Sequence, residues 1–337
     1  MQTKTWQTAA LESERIEHKA LIADAKAMAD HWRDEAKKLE RDLGVALALK
    51  KHAQKKPAAI TQGRKHDSES VAVAIASDWH CSELVEPETV NGRNEFNLSI
   101  AESRIKQFFR KTLALTETQR HSTRIDTLCL GLLGDFISGE IHEELTESNQ
   151  LSATQEVLWV IERLRAGLEF LSPHYSRIVI PCCHGNHGRN TKKRRISTGH
   201  KHSYEWMMYH ALKQSAPKNC EFVIADGYHV YLPVLNTRIR FHHGDAIRYQ
   251  GGVGGIFIPV NKAIQSWNRN VRADLDVHGH FHQQLDGGNF ISNGSLIGFN
   301  AFAVEIKAAW EPPQQSFFLV HSRMGKTVSA PIRLDDV

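Results

Sequence analysis

Five short apolar runs, each stopping at a polar cluster, constrain this 337-residue chain more tightly than anything else in it. They are VAVAIAS (71–77), DTLCLGLL (126–133), SRIVIPC (176–182), TRIRF (237–241) and LDVHG (275–279). Runs this short and this rich in β-branched residues predict buried strands. Helical patterns near 98–119, 151–172 and 203–215 lie between them, and such alternation predicts an α/β domain. NFISNGSLIGFN, SFFLVHS and TVSAPIRL near the C-terminus predict further strands and a β-rich closing edge. No internal repeat interrupts the pattern.

The clusters that end the runs hold the chemistry. They are Asp78-Trp79-His80, Gly134-Asp135, Gly185-Asn186-His187, His242-His243-Gly244-Asp245 and Gly279-His280-Phe281-His282. In α/β folds, reactive groups gather outside the carboxyl ends of the strands, so five strand ends can bring the five clusters together. Carboxylate, imidazole and amide oxygen in one place suit Mn²⁺, Fe or Zn²⁺, whereas an oxygen-only cage suits Mg²⁺ or Ca²⁺. A bridging carboxylate such as Asp135 would hold two cations about 3.5–4 Å apart, a spacing that polarises a phosphoryl oxygen and lowers the pKa of water. Any one cluster is weak evidence. Asp135 after a glycine also fits a plain turn, and among 20 histidines pairs such as His200-x-His202 and His278-x-His280 arise by chance. All five in order, each after an apolar run, weigh against the bland reading.

D-x-H, G-D, G-N-H, H-G and G-H-x-H in that order resemble the motif set of the calcineurin-like metallophosphoesterases, over about Val71 to Leu296. Asn293-Gly294-Ser295 resembles the turn that follows the family's last motif. The resemblance implies a two-sheet α/β sandwich flanked by helices and two divalent cations, Mn²⁺ first, with Zn²⁺, Fe or Ni²⁺ as alternatives. It implies that Asp78, His80, Asp135 and His282 hold one cation, and that Asp135, Asn186, His243 and His280 hold the other. A hydroxide between the cations would attack phosphorus. His187 would serve as general acid to the leaving oxygen, a role typically worth about 10²–10⁴ in rate. Three departures stand out. Gly188 occupies the place where the family has Asp or Glu, so His187 needs another orienting group. Ser138 in GDFISGE stands where the protein-phosphatase branch has a second Asp, which argues against a phosphoprotein substrate. Two histidines precede Gly244, and His243, directly before the glycine, is the expected ligand, with His242 the alternative.

Residues 1–50 predict one long amphipathic helix, with Leu21, Ala25, Met28, Trp32, Ala36, Leu39, Leu43 and Leu47 at helical spacing. Its thin, Ala-rich stripe needs a partner surface, either its copy in a homo-oligomer or the catalytic domain. A polar, basic linker follows over 51–70, and the catalytic domain over 71–337. The N-terminus carries charges of both signs and no apolar core, and no stretch approaches the roughly 18–20 apolar residues that span a bilayer. Five cysteines without C-x-x-C spacing suit a reducing compartment and read as small core residues. The expectation is a cytoplasmic protein with no membrane partner, phage- or prophage-encoded in a bacterial host. The segment 81–124 between the first two motifs could reach over the site or decorate its edge.

A net charge of +4 is too small by itself to imply nucleic acid. The placement says more. Arg189, Lys192, Lys193, Arg194, Arg195 and Lys201 follow G-N-H within one loop. Arg189 and Lys192 to Arg195 are the candidate substrate-binding residues, as cations for backbone phosphates, while Tyr204 and Trp206 could stack bases if they project outward. The first reading is therefore a phosphodiesterase of DNA or RNA, similar to the exonuclease subunits of double-strand-break repair complexes and their phage-borne relatives. Only 55 residues follow His282, too few for the capping region such nucleases carry. Two alternatives stay open: a small-molecule or nucleotide phosphodiesterase or phosphatase, and a non-catalytic metal-containing module that holds nucleic acid.

Overall fold

The computed structural model describes residues 26, 28, 30–37, 69–249, 251, 254–305 and 308–335. The chain divides into two compact units. The smaller includes the helical residues 30–37 (α1) and Phe257–Asn268 (α6), and within it the Lys262 ammonium lies 5.1 Å over the Trp32 ring. The remainder of the predicted 1–50 helix, and the linker up to position 68, lie outside the described residues.

The larger unit is an α/β sandwich of two mixed sheets. Its strands are β1 (Ser70–Ala76), β2 (Thr127–Leu132), β3 (Arg177–Cys182), β4 (Cys220–Ile224), β5 (Val230–Val234), β6 (Thr237–His242), β7 (Leu275–His278), β8 (Leu285–Asp286), β9 (Phe290–Ser292), β10 (Gln314–His321) and β11 (Gly325–Arg333). One sheet runs β11-β10-β1-β2-β3-β4, and the other β5-β6-β7-β9-β8. The strands that precede the clusters are parallel to their neighbours: β1 to β2, β2 to β3, and β6 to β7. All five predicted strands form within a residue or two of their expected ends. The predicted helices are α2 (Leu98–Arg120), α4 (Ala153–Leu171) and α5 (Tyr204–Ser215). Two short helices, α3 (Glu143–Ser148) and α7 (Ala301–Glu305), complete the set.

Why the strand sequences are uniformly apolar is visible in β1. Val71, Val73 and Ile75 face the second sheet, packed with Ile239, Phe241, Leu275 and Val277. Ala72, Ala74 and Ala76 face the helices and share a core with Ile105, Phe108, Leu164, Leu168 and Leu212. A strand covered on both faces has no polar side to alternate. Each fully buried Leu, Ile or Phe in these two cores contributes roughly 1.5–3 kcal/mol. Cys81, Cys129, Cys182 and Cys183 are buried as expected, and Cys220 is half-buried. Among the described residues, no helix is long and apolar enough to cross a membrane.

Sequence reasoning missed β4, β5, β8, α3, α6 and α7. β4 alternates between half-buried and exposed residues at the sheet edge, and its apolar stretch, Phe222 to Ala225 between Glu221 and Asp226, is short. β5 contains Pro233, which argues against a central strand; it is an edge strand and pairs only with β6. The segment after the first motif is bound down: Val85 and Phe96 exchange backbone hydrogen bonds of 2.9 and 3.0 Å and are both buried.

On neighbouring strands β6 and β7, Arg240 and Asp276 stand in register, and the guanidinium donates to both carboxylate oxygens at 2.6 and 2.9 Å. Both side chains are almost wholly buried. Removing one partner leaves an uncompensated buried charge, so Asp276→Ala is expected to cost about 3–5 kcal/mol. Urea unfolding monitored by circular dichroism checks this, and a loss below about 1 kcal/mol would contradict it.

Candidate metal centre

The loops after β1, β2 and β3 meet backbone to backbone. Asp78 N donates to Gly134 O at 3.0 Å, and His80 N to Asp135 O at 3.1 Å. The turns after β2 and β3 approach so closely that neither tolerates a side chain. A Cβ on Gly134 would lie 2.2 Å from Gly185 N, and one on Gly185 would lie 2.1 Å from Asp135 Oδ1. This packing lets Asp135 Oδ1 accept from His187 N at 2.8 Å while Oδ2 lies 2.9 Å from His243 Nε2.

The seven expected ligands converge. Asp78, His80 and His282 present donor atoms that all lie within 4.8 Å of one another, and so do Asp135, His243 and His280. Asn186 joins the second group through Oδ1, 3.1 Å from His243 Nε2. A third group, His80, Asp135 and His187, overlaps the first two and brings His187 to the same centre. The His80 ring lies 4.6 Å from that of His187 and 5.1 Å from that of His282. His242 points elsewhere: its ring stacks on His278 at 5.2 Å, and Nε2 lies 3.4 Å from Asp276.

Two observations test whether these residues fit divalent cations. Both ring nitrogens of the buried His80 lack a hydrogen-bond partner among the described residues, which is costly unless a cation takes one. Five expected ligands also sit in left-handed backbone: Asp78 (φ 55°), His80 (43°), Asp135 (53°), His280 (73°) and His282 (54°). Among the described residues only two other non-glycines, Asn91 and Leu235, have positive φ. Such conformations cost about 1–3 kcal/mol each and persist where surrounding structure over-determines them, which is typical of ligand sites. The charge balance of the centre is set by the same groups. Burial and the neighbouring His187 hold His80 well below the usual imidazole range. Burial alone would lower His243 too, but Asp135 pushes it up to about 10. Asp135 is held well below the ordinary carboxylate range by His243 and His187, against its burial. A buried carboxylate that gathers positive charge in this way suits a bridging position between cations.

The residues behind the ligands were mostly invisible in the sequence. Ser77 Oγ donates to Asp78 Oδ2 at 2.5 Å, and Asn293 Nδ2 donates to Ser77 Oγ at 2.8 Å, which gives the Asn293-Gly294-Ser295 turn its part in the site. His243 Nδ1 bonds Leu133 O at 2.7 Å, which fixes the ring with Nε2 toward the centre. His187 finds its orienting group in the Ser138 carbonyl, 2.8 Å from Nδ1. Glu156 in turn accepts from Ser138 N, Gly139 N and Ser82 Oγ at 2.9, 3.0 and 2.6 Å. No apolar period or spacing marks Glu156, since Ser82 lies 74 residues away.

The basic loop divides into two sets. Arg189 bonds the carbonyls of Asn186 and Thr191 at 2.7 and 3.0 Å. Arg194 pairs with Asp245 at 2.8 Å and lies over the Tyr228 ring. Lys192, Lys193 and Arg195 are exposed. Tyr204 packs against the helix-side core, and half-buried Trp206 lies between His200 and His210 with its indole N–H on Asp226, so neither projects as a stacking platform.

No protein-family model matches the sequence, and a search of curated proteins finds no match. Solved structures do overlay. One is a conserved protein from Streptococcus pneumoniae described as a predicted phosphoesterase, at 12% identity and TM-score 0.29, over 75% of this chain and 83% of that one. Another is the calcineurin-like phosphoesterase YfkN from Bacillus subtilis, at 9% identity and TM-score 0.32, over 80% and 92%. A hypothetical protein, PH1004 from Pyrococcus horikoshii, gives 11% identity and TM-score 0.38, over 79% and 89%. Likeness at this level decides neither chemistry nor substrate; the side chains must.

The glycine contacts carry a prediction. Gly185→Ala forces its Cβ into Asp135, and overpacking of this kind costs about 1–3 kcal/mol. The variant is expected to melt lower and to retain at most a tenth of the wild-type affinity for Mn²⁺, read by calorimetric titration. Wild-type affinity would show that the close approach does not set the ligand spacing.

Proposed function

We propose that the chain is a calcineurin-like metallophosphoesterase with two divalent cations, Mn²⁺ first among candidates, and that it hydrolyses phosphodiester bonds in nucleic acid. The convergence of five left-handed candidate residues, one of them a buried His80 whose ring nitrogens have no hydrogen-bond partner among the described residues, carries this reading. Asp78, His80, Asp135 and His282 would hold one cation, and Asp135, Asn186, His243 and His280 the other. When bound, such a pair polarises the phosphoryl group and lowers the pKa of water.

The chain's own residues do the rest. Asn186, His187, His280 and His282 are half-buried while Asp78, His80, Asp135 and His243 are buried, so the centre opens on the first set and phosphate enters there. His187 keeps Nδ1 on the Ser138 carbonyl, which leaves Nε2 to hold or deliver a proton at the leaving oxygen. Burial pulls the His187 pKa down, and Asp135 and the Ser138 carbonyl oppose that pull. Lys192, Lys193 and Arg195, exposed just after the G-N-H cluster, supply charge for further phosphates of a strand. That surplus beyond the centre favours a polymer over a mononucleotide.

The test is a Mn²⁺-supported panel of a phosphate diester, a monoester, mononucleotides, and single- and double-stranded DNA and RNA. Cleavage of a diester and a nucleic acid is expected, with turnover abolished in Asp135→Asn and reduced about 10²–10⁴-fold in His187→Ala. Activity confined to mononucleotides would remove the nuclease reading. Replacing Lys192, Lys193 and Arg195 by Ala should lower the slope of log affinity against log salt by up to about 2–3, since each phosphate contact contributes about 0.7–0.9. An unchanged slope would discard their role.

A further inference from the structure

Glu205 lies outside the ligand set, in the first turn of α5, and is fully buried. Its two carboxylate oxygens serve two different loops. Oε1 accepts from Phe136 N and Oε2 from Gly185 N, both at 2.7 Å. Phe136 follows Asp135, and Gly185 precedes Asn186, so one carboxylate spans the junction between the G-D and G-N-H turns. Burying a carboxyl group costs several kcal/mol when nothing offsets it. An apolar residue would fill the same volume without that cost, so the two N–H contacts give the carboxylate its reason to be there.

The space beside it points the same way. A Cβ on Gly188 would lie 2.7 Å from Glu205 Cγ and 3.3 Å from Oε2. A side chain at 188 and the Glu205 carboxylate therefore compete for one volume, and in this chain the helix supplies the acid while the loop supplies the glycine. Burial and the nearby Asp135 push the Glu205 pKa up to about 7, the expected mark of a carboxylate held against its own solvation.

We propose that Glu205 is a positioning residue: it clamps the Gly185-Asn186-His187 turn onto the Asp135 turn and so sets the spacing of Asn186 and His187 from Asp135, the carboxylate shared by the two expected ligand groups. This rests on the dinuclear-metal reading above. Glu205 belongs to none of the three candidate ligand groups, and its carboxylate oxygens accept from backbone N–H groups.

Glu205→Gln tests it, because the amide keeps the volume but replaces one acceptor with a donor facing an N–H group. Leu212→Ala, a core truncation on the same helix, serves as the control for lost stability. In the metal-free full-length protein, Glu205→Gln is expected to speed amide hydrogen exchange at Phe136 and Gly185. It should also weaken Mn²⁺ binding at least tenfold by calorimetric titration. Leu212→Ala should lower the melting temperature and leave Mn²⁺ affinity within about twofold. Wild-type exchange and Mn²⁺ affinity in Glu205→Gln would overturn the proposal, as would an equal loss of affinity in Leu212→Ala. A wild-type protein that takes up neither Mn²⁺ nor Zn²⁺ would instead overturn the dinuclear reading, and the proposal with it, so the two failures are told apart.

Discussion

The approach of the Gly134 and Gly185 turns is the contact on which the site depends. β2 and β3 are parallel neighbours, so their carboxyl ends emerge side by side, and only residues without a Cβ let the two exits touch. From that contact follows the rest. Asp135 can accept the His187 amide with one oxygen and face His243 with the other. That second reach crosses from the first sheet to the second, since His243 follows β6. The apolar layer between the sheets, with Ile75, Cys129 and Phe241 in it, holds both sheets at the separation this geometry requires.

Left-handed backbone at five ligands is the other side of the same arrangement. Three of the five are held in this sparsely populated region by backbone hydrogen bonds. Asp78 is tied through N to Gly134 O, His80 to Asp135 O, and His280 N donates to both Asp78 oxygens at 3.0 Å. Strain at one loop is thus stabilised by the strain at the next, and relaxing any one of them would release its neighbours. Cations bound by such a set would add their binding free energy to the stability of the loops, because the unfolded chain offers no comparable site.

The strands were legible because they are covered on both faces, which leaves a continuous apolar run that stops where the chain leaves the sheet. The clustered side chains were legible for the complementary reason: polar residues of metal-binding type stand at those stops. Elements without either mark were missed. β4 is half exposed, and β5 carries a proline that only an edge position tolerates. The supporting side chains were missed for a different reason. Glu156, Glu205, Ser77 and Asn293 are ordinary polar residues, and their partners are neighbours in space alone, as with Asn293 and Ser77 at 216 positions apart. Nothing within one helical turn or one strand could reveal them. The choice of His243 over His242 was legible from its place before Gly244, and the structure shows where the alternative goes. His242, the last residue of β6, pairs with His278 and stacks on it, while His243, the first residue beyond the strand, joins Asp135 and His280.

The basic loop shows why charge counted along a sequence overstates charge available to a ligand. Of its five candidate cations, Arg189 is committed to backbone carbonyls and Arg194 to Asp245 and Tyr228. These two set the loop's path beside the centre. A site built for a mononucleotide would keep its cations close to the metals and directed inward, to clamp a terminal phosphate. Here Arg189 and Arg194 are already engaged by the site's own wall, while Lys192, Lys193 and Arg195 are exposed beside them. Under the proposed function, charge at the surface would serve phosphates that lie beyond the scissile one, as a nucleic-acid strand carries them.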